Sequence, residues 1–198
     1  KADKKRELLP FYLPWVAGVL ANGKCAQDDI VMTVMLWRLD ADDIAGALEI
    51  ARYAMTWGLT MPTGRRPTPY LLAEEVALAA QRLLAAKQPV ELANLLDTIA
   101  LTERADMPDI VRAKLHKITG YVLRDASQLP EALAHLQRAI QLERTIGVKK
   151  DIEQLERQLR PKPEPAPKTK TTKPRTRKPA AKPAARRGRP PKAAKAAG

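Results

Sequence analysis

The chain has 198 residues, with 35 Lys/Arg against 22 Asp/Glu, a net charge of +13, and a single cysteine, Cys25. One cysteine excludes an internal disulfide and a structural zinc site built from cysteines, and no run of 18 apolar residues is present to span a membrane. The charge is concentrated at one end: residues 161–198 carry 13 Lys/Arg and one acid, Glu164, which leaves residues 1–160 nearly neutral, with 22 basic and 21 acidic residues. The expected organisation is a body, 1–160, long enough for one domain with a sizeable core, followed by a polycationic tail, 161–198.

The charged opening Lys1–Glu7 leads into an apolar stretch, Leu8–Leu20, interrupted by Pro10, Pro14 and Gly18. Those prolines, and the lack of a small-residue cleavage site, argue against a secretory signal. The aromatic residues Phe11, Tyr12 and Trp15 are expected to pack onto the first helices, with an interface role as the alternative. Cys25 reads as an incidental small residue near a helix start. Ile30–Trp37 is apolar except for Thr33 and follows Asp28 and Asp29, which predicts a buried helix. Asp40 is placed to cap a helix beginning near Ala41. In that helix Ile44, Leu48, Ala51 and Met55 share one face, and Gly58 follows its end.

After a loop over Leu59–Pro69, the same periodicity recurs. It is carried by Leu72, Val76, Ala79 and Leu83, then by Leu92, Leu95 and Ile99, then by Val111, Leu115, Ile118 and Val122. Leu133, Leu136 and Ile140 follow, and then Val148, Ile152, Leu155 and Leu159, a short heptad-like helix that is a candidate assembly contact. Pro108 and Pro130 sit where a first helical turn needs no amide donor. Strand-like alternation is absent. The predicted fold class is all-α, built of antiparallel helical hairpins. Asp43–Ala51 and Pro130–Ala139 look tetratricopeptide-like, without a visible 34-residue repeat.

The tail has nine prolines in 38 residues and no large apolar residue. Such a composition cannot offset the entropy of ordering, so disorder is predicted, and the natural counter-charge is nucleic acid. Lys173, Arg175, Arg177 and Lys178 form a basic cluster suited to phosphates. Arg186, Arg187, Gly188, Arg189, Pro190 and Lys192 resemble an AT-hook, in which glycine lets the backbone lie deep in the minor groove and the arginines follow its floor. Minor-groove insertion and simple phosphate binding both remain open readings of that motif. The tail lacks the apolar anchors of a membrane-binding segment. Arg65-Arg66, in the long loop, reads as either a DNA contact or a solvated pair.

Asp28, Asp29, Asp40 and Asp42, with Asp43, Glu74 and Glu75, invite a metal-nuclease reading, because two-metal cleavage needs convergent carboxylates. Mg²⁺ would then be the cofactor; otherwise none is expected. Each of these clusters also sits at an expected helix start, where carboxylates complement exposed amides. His116 and His135 have no partner at metal-ligand spacing and read as solvated. No Gly-rich phosphate loop is present, so the chain is not itself an ATPase.

Several long stretches carry a resemblance. They are Lys5–Phe11 with Leu13–Val16, Ala26–Asp40, Asp43–Ala54, Gly58–Pro62, Glu74–Ala80, Ala105–Asp109 and Val111–Gly120, together with the Arg-Gly-Arg-Pro tail. Across essentially its whole length the chain resembles the small terminase subunits, also called terminase endonuclease subunits, of peduovirus-type temperate tailed phages. The resemblance implies work in the host cytoplasm with a large ATPase subunit, recognising and cutting concatemeric double-stranded DNA at cohesive-end sites. It implies a ring-shaped homo-oligomer, and an additional charged segment ahead of the match in full-length members. Two alternatives stand beside it: an intrinsic metal-dependent endonuclease, and an AT-hook DNA-binding regulator.

Overall fold

The computed structural model describes residues 2–160 apart from 24 and 65. Among the described residues there are eight α-helices and no strand: α1 Ala2–Asn22, α2 Asp29–Asp40, α3 Ile44–Trp57, α4 Thr68–Ala85, α5 Leu92–Thr102, α6 Asp109–Asp125, α7 Leu129–Leu142 and α8 Lys149–Leu159. The all-α class read from periodicity is thus the observed one. None of these helices is long and apolar enough to cross a membrane.

α2 is apolar on nearly every side, and it is accordingly the central helix, with Val31, Met32, Val34, Met35 and Leu39 all buried. It starts where Asp28 Oδ1 accepts the Val31 amide at 2.9 Å, satisfying one of the four orphan donors of a helix start. α3 starts the same way, but its cap is Asp43, whose Oδ1 accepts the Gly46 amide at 2.9 Å. Asp40 is instead the last residue of α2, and it receives Lys5 from α1. The string Asp40-Ala41-Asp42-Asp43 offers three candidate caps, and the turn geometry selects the last of them. Glu74 and Glu75 likewise lie in the second turn of α4 rather than at its start.

α1 runs through both Pro10 and Pro14. Their spacing of four places them on one face, and both are exposed, so the carbonyls freed by the missing amides face water. The opposite side sends Leu9, Tyr12, Val16, Val19 and Leu20 onto the core. Tyr12 meets Trp37 of α2 edge-on at 5.6 Å between ring centroids. Phe11 and Trp15 are not part of this packing and are 80% and 53% exposed.

The main core runs from α1 to α6 and takes in Leu72 and Val76 of α4 and Leu95 of α5. A smaller core of Leu123, Ala132, Leu136, Val148 and Leu155 is shared by the end of the chain from α6 to α8. Between α6 and α7 the backbones approach closely because Gly120 faces Leu136 and the Ala132 carbonyl of α7; a Cβ built on Gly120 would meet Leu136 Cδ2 at 2.7 Å and the carbonyl at 3.2 Å. Both α3 and α7 are second helices of hairpins, in keeping with their small-residue patterns.

α4 and α6 end identically. Gln88 N donates to Leu83 O and Gln128 N to Leu123 O, each at 2.9 Å, around left-handed Lys87 and Ser127. These are glycine-type helix ends without glycine, so sequence alone did not mark them. Ser127→Gly is expected to stabilise the chain by up to about 1 kcal/mol, read as a higher urea midpoint, because a left-handed non-glycine residue carries strain of that order.

Candidate functional site

The carboxylates proposed for catalysis fall into two groups at opposite ends of α2. Asp28 caps the helix through Oδ1 and accepts Trp15 Nε1 at 3.1 Å through Oδ2. Asp29 accepts Gln27 Nε2 at 2.9 Å. Asp40 is bonded by Lys5. Asp42 lies in the turn beyond, where Arg6 of α1 and Arg82 of α4 converge on it at 3.2 and 2.9 Å. The helix between Asp29 and Asp40 separates the two groups by roughly 16 Å at 1.5 Å per residue, whereas a two-metal centre needs its acids within a few ångströms of both ions. Among the described residues no group of three or more His, Cys, Asp or Glu is placed to hold a metal ion.

The acids at the second end belong to a junction of α1, α2 and α4. Asp40 holds Lys5, Asp42 holds Arg6 and Arg82, and Glu74 holds Arg66. Arg82 Nη2 also donates to the Leu39 carbonyl at 2.8 Å, closing the end of α2. Glu75 has its carboxyl pushed above the ordinary range by burial, with Asp40 and Glu74 adding repulsion. Acids and bases alternate here, so the arrangement ties three helices together, with each exposed pair worth at most about 1 kcal/mol. Arg66 is drawn into the same junction and stacks on Tyr70, its guanidinium 5.4 Å from the ring centroid, so its charge is compensated within the body. Arg65 lies outside the described residues.

His116 and His135 are neither solvated nor alone. The α6–α7 hairpin sets their Nδ1 atoms 3.0 Å apart, with ring centroids 5.1 Å apart. A hydrogen bond between two like nitrogens requires one to be unprotonated. Burial, then His135, Arg138 and Arg112, depress the His116 pKa to about 4, and burial lowers that of His135. A neutral pair in the fold competes with an unfolded chain that protonates near the usual value of about 6.5. Stability is therefore full above that value and falls as pH drops toward 4. The thermal midpoint is expected to be lower at pH 5 than at pH 7, with a smaller fall in His116→Gln; an equal fall in both would count against the pair. The 19-residue separation explains why helical spacing along the chain did not join them.

The DNA-binding candidates Lys173, Arg175, Arg177, Lys178, Arg186, Arg187, Gly188, Arg189, Pro190 and Lys192 all lie outside the described residues. What the structure contributes is a body whose buried surface is spent on helix packing.

The molecule is thus of the helical-body class, with Asp28 and Asp43 engaged as caps, Asp40, Asp42 and Glu74 engaged in ion pairs, and its net charge concentrated in residues 161–198. Residues 1–110 match the family model described as phage small terminase subunit. Two curated relatives agree. "Terminase, endonuclease subunit" of Escherichia phage P2 is 64% identical over 195 residues, covering 98% of this chain and 78% of that protein. "Probable terminase, endonuclease subunit" of Haemophilus phage HP1 (strain HP1c1) is 29% identical over 170 residues, covering 77% of this chain and 60% of that protein. No solved structure matches. The chain belongs to the phage small terminase subunit family, and its role is in phage DNA packaging.

Proposed function

We propose that this chain is the DNA-capturing and assembling subunit of a packaging machine that works in the host cytoplasm. The body, 1–160, assembles with other copies and docks the large ATPase subunit; the tail, 161–198, holds double-stranded DNA. The observation that carries this reading is the charge division: 13 Lys/Arg and one acid in the tail, against near-balance in the body. A neutral body has little electrostatic claim on a polyanion, while the tail needs no fold to neutralise phosphates. Arg187, Gly188, Arg189 and Pro190 act as the minor-groove hook, and the Lys173–Lys178 cluster lies along phosphates. Concatemeric DNA held in this way is presented for cutting at cohesive-end sites, with the large subunit completing the reaction. Filter binding of duplex DNA by the full chain and by a chain ending at Arg160, across a salt series, tests the division; equal affinity and equal salt slope would sink it.

The names of the relatives favour a second reading, in which this subunit itself cuts. The separation of Asp28 and Asp29 from Asp40 and Asp42 speaks against one Mg²⁺-dependent centre built from both groups. Pure chain incubated with cohesive-end DNA and Mg²⁺ is expected to leave the DNA intact. Cutting that Asp28→Ala/Asp29→Ala abolishes would establish the enzymatic reading.

A further inference from the structure

Two apolar surfaces of the body stay open to solvent on one side, although Trp15 Nε1 is held by Asp28 and Leu84, Ile118 and Tyr121 also pack on the core. The first is a stripe on α1: Leu8, Phe11 and Trp15 are 43%, 80% and 53% exposed. Their spacing of three, four and seven places them on one flank of the helix, beside the row that packs inward. The second is a groove of about 590 Å³ between α4 and α6, with Leu78, Leu84, Ile118 and Tyr121 in its walls and Lys114 and Lys117 on its rim. The first is convex and the second concave, and both are of similar length. Leu8 to Trp15 spans roughly 10 Å, and the α4 wall, from Ala77 to Ala85, spans roughly 12 Å. They are carried by different helices; α1 packs on α2 and α3, whereas the groove belongs to α4 and α6.

Their charges are complementary as well: of the charged residues lining the groove, Arg124 and Asp125 pair with each other at 3.5 Å, which leaves Lys114 and Lys117 to set its sign. Lys114 and Lys117 have no carboxylate partner among the described residues; Lys117 Nζ donates only to the Ile146 carbonyl, at 2.8 Å. On α1, Glu7 stands one turn before Phe11 on the same flank and has no cationic partner among the same residues. Nucleic acid is a poor occupant for this groove, because phosphates use charge alone and would leave its apolar walls bare.

We propose that α1 of one copy seats Phe11 and Trp15 in the α4–α6 groove of the next, with Glu7 facing Lys114 and Lys117. The aromatic pair supplies the central anchors, as buried aromatic residues do at protein interfaces. Because the two surfaces differ, the contact is head-to-tail. Each copy has one of each, so repetition closes a ring when the rotation permits. The inference deepens the assembly part of the proposed function and is independent of the tail.

The test uses full-length chain and native mass by light scattering in the absence of DNA, with thermal melts to show that each variant is folded. Wild type is expected to be oligomeric. Phe11→Glu, which spoils the stripe, and Leu78→Glu with Lys114→Glu, which spoils the groove, alter exposed positions and are each expected to weaken association at least tenfold, to monomer. Mixed one to one, the two variants should form a two-chain species, since each retains the surface that the other lacks. A monomeric wild type would overturn both this contact and the assembly reading. Oligomers that survive in either variant, or variants that fail to pair on mixing, would overturn the contact and leave the assembly reading intact.

Discussion

Ending the chain at Arg160 is expected to remove nearly all of its affinity for duplex DNA and nearly all of the salt dependence of that affinity. The segment removed carries 13 of the 35 Lys/Arg and only one of the 22 acids. If about six to eight of those charges meet phosphates, log K falls against log[salt] with a slope of about −5 to −7. Between 50 and 200 mM salt, affinity of the full chain should then drop by about 10³ to 10⁴, while the truncated body, with 22 basic and 21 acidic residues, should show a slope near zero. A finer substitution separates the two readings of the terminal motif. Arg187→Ala with Arg189→Ala should abolish preference for A·T-rich duplex if the arginines lie in the minor groove. If they only neutralise phosphates, the pair should lower the slope by about 2 for every sequence alike.

Gly120→Val should destabilise the body by about 2–4 kcal/mol, through overpacking of a small core. A Cβ at this position meets Leu136 Cδ2 at 2.7 Å and Cγ at 2.8 Å, with the Ala132 carbonyl at 3.2 Å. Leu136 is fully buried, and the other buried members of its small core are Leu123, Ala132, Val148 and Leu155, so there is little slack to absorb two extra methyl groups. A urea midpoint shift at constant m-value measures the loss. The strain is local, so Leu136→Ala should recover part of it in the double variant, and the coupling energy should be favourable. Gly120→Ala places the same Cβ against Leu136 but adds no further methyl groups, so it should cost less than Gly120→Val, offset in part by about 1 kcal/mol of regained helix propensity.

What was legible in the chain, and what was not, follows from how local the relevant forces are. Ile44, Leu48 and Ala51, and likewise Val111, Leu115, Ile118 and Val122, repeat at helical spacing because each helix must present one face to a core; all of them are buried. Asp28 as a cap and Gly58 as a left-handed terminus are decided within a few residues, and both were readable. The choice of Asp43 over Asp40 was not, since it depends on the path of the turn through left-handed Asp42. The left-handed ends at Lys87 and Ser127 were hidden for a related reason: hydrogen bonding and packing hold a conformation that their residue types disfavour.

The sequence by itself determined the helical class, the rough placement of α2 to α8 but not of α1, the segregation of charge into 161–198 and the family. Composition and short-range spacing carry the first three, and the family rests on the likeness of long stretches such as Ala26–Asp40 and Asp43–Ala54. Only the tertiary structure decided how the acids are used. Helical rise drives Asp28 and Asp29 away from Asp40 and Asp42, while chain reversal brings Lys5, Arg6 and Arg82 to Asp40 and Asp42 from far along the chain. The same holds for His116 and His135, joined by a hairpin, and for Phe11 and Trp15, left outside the core. A residue's spacing says which face of a helix it shares, but only packing says whether another helix covers that face.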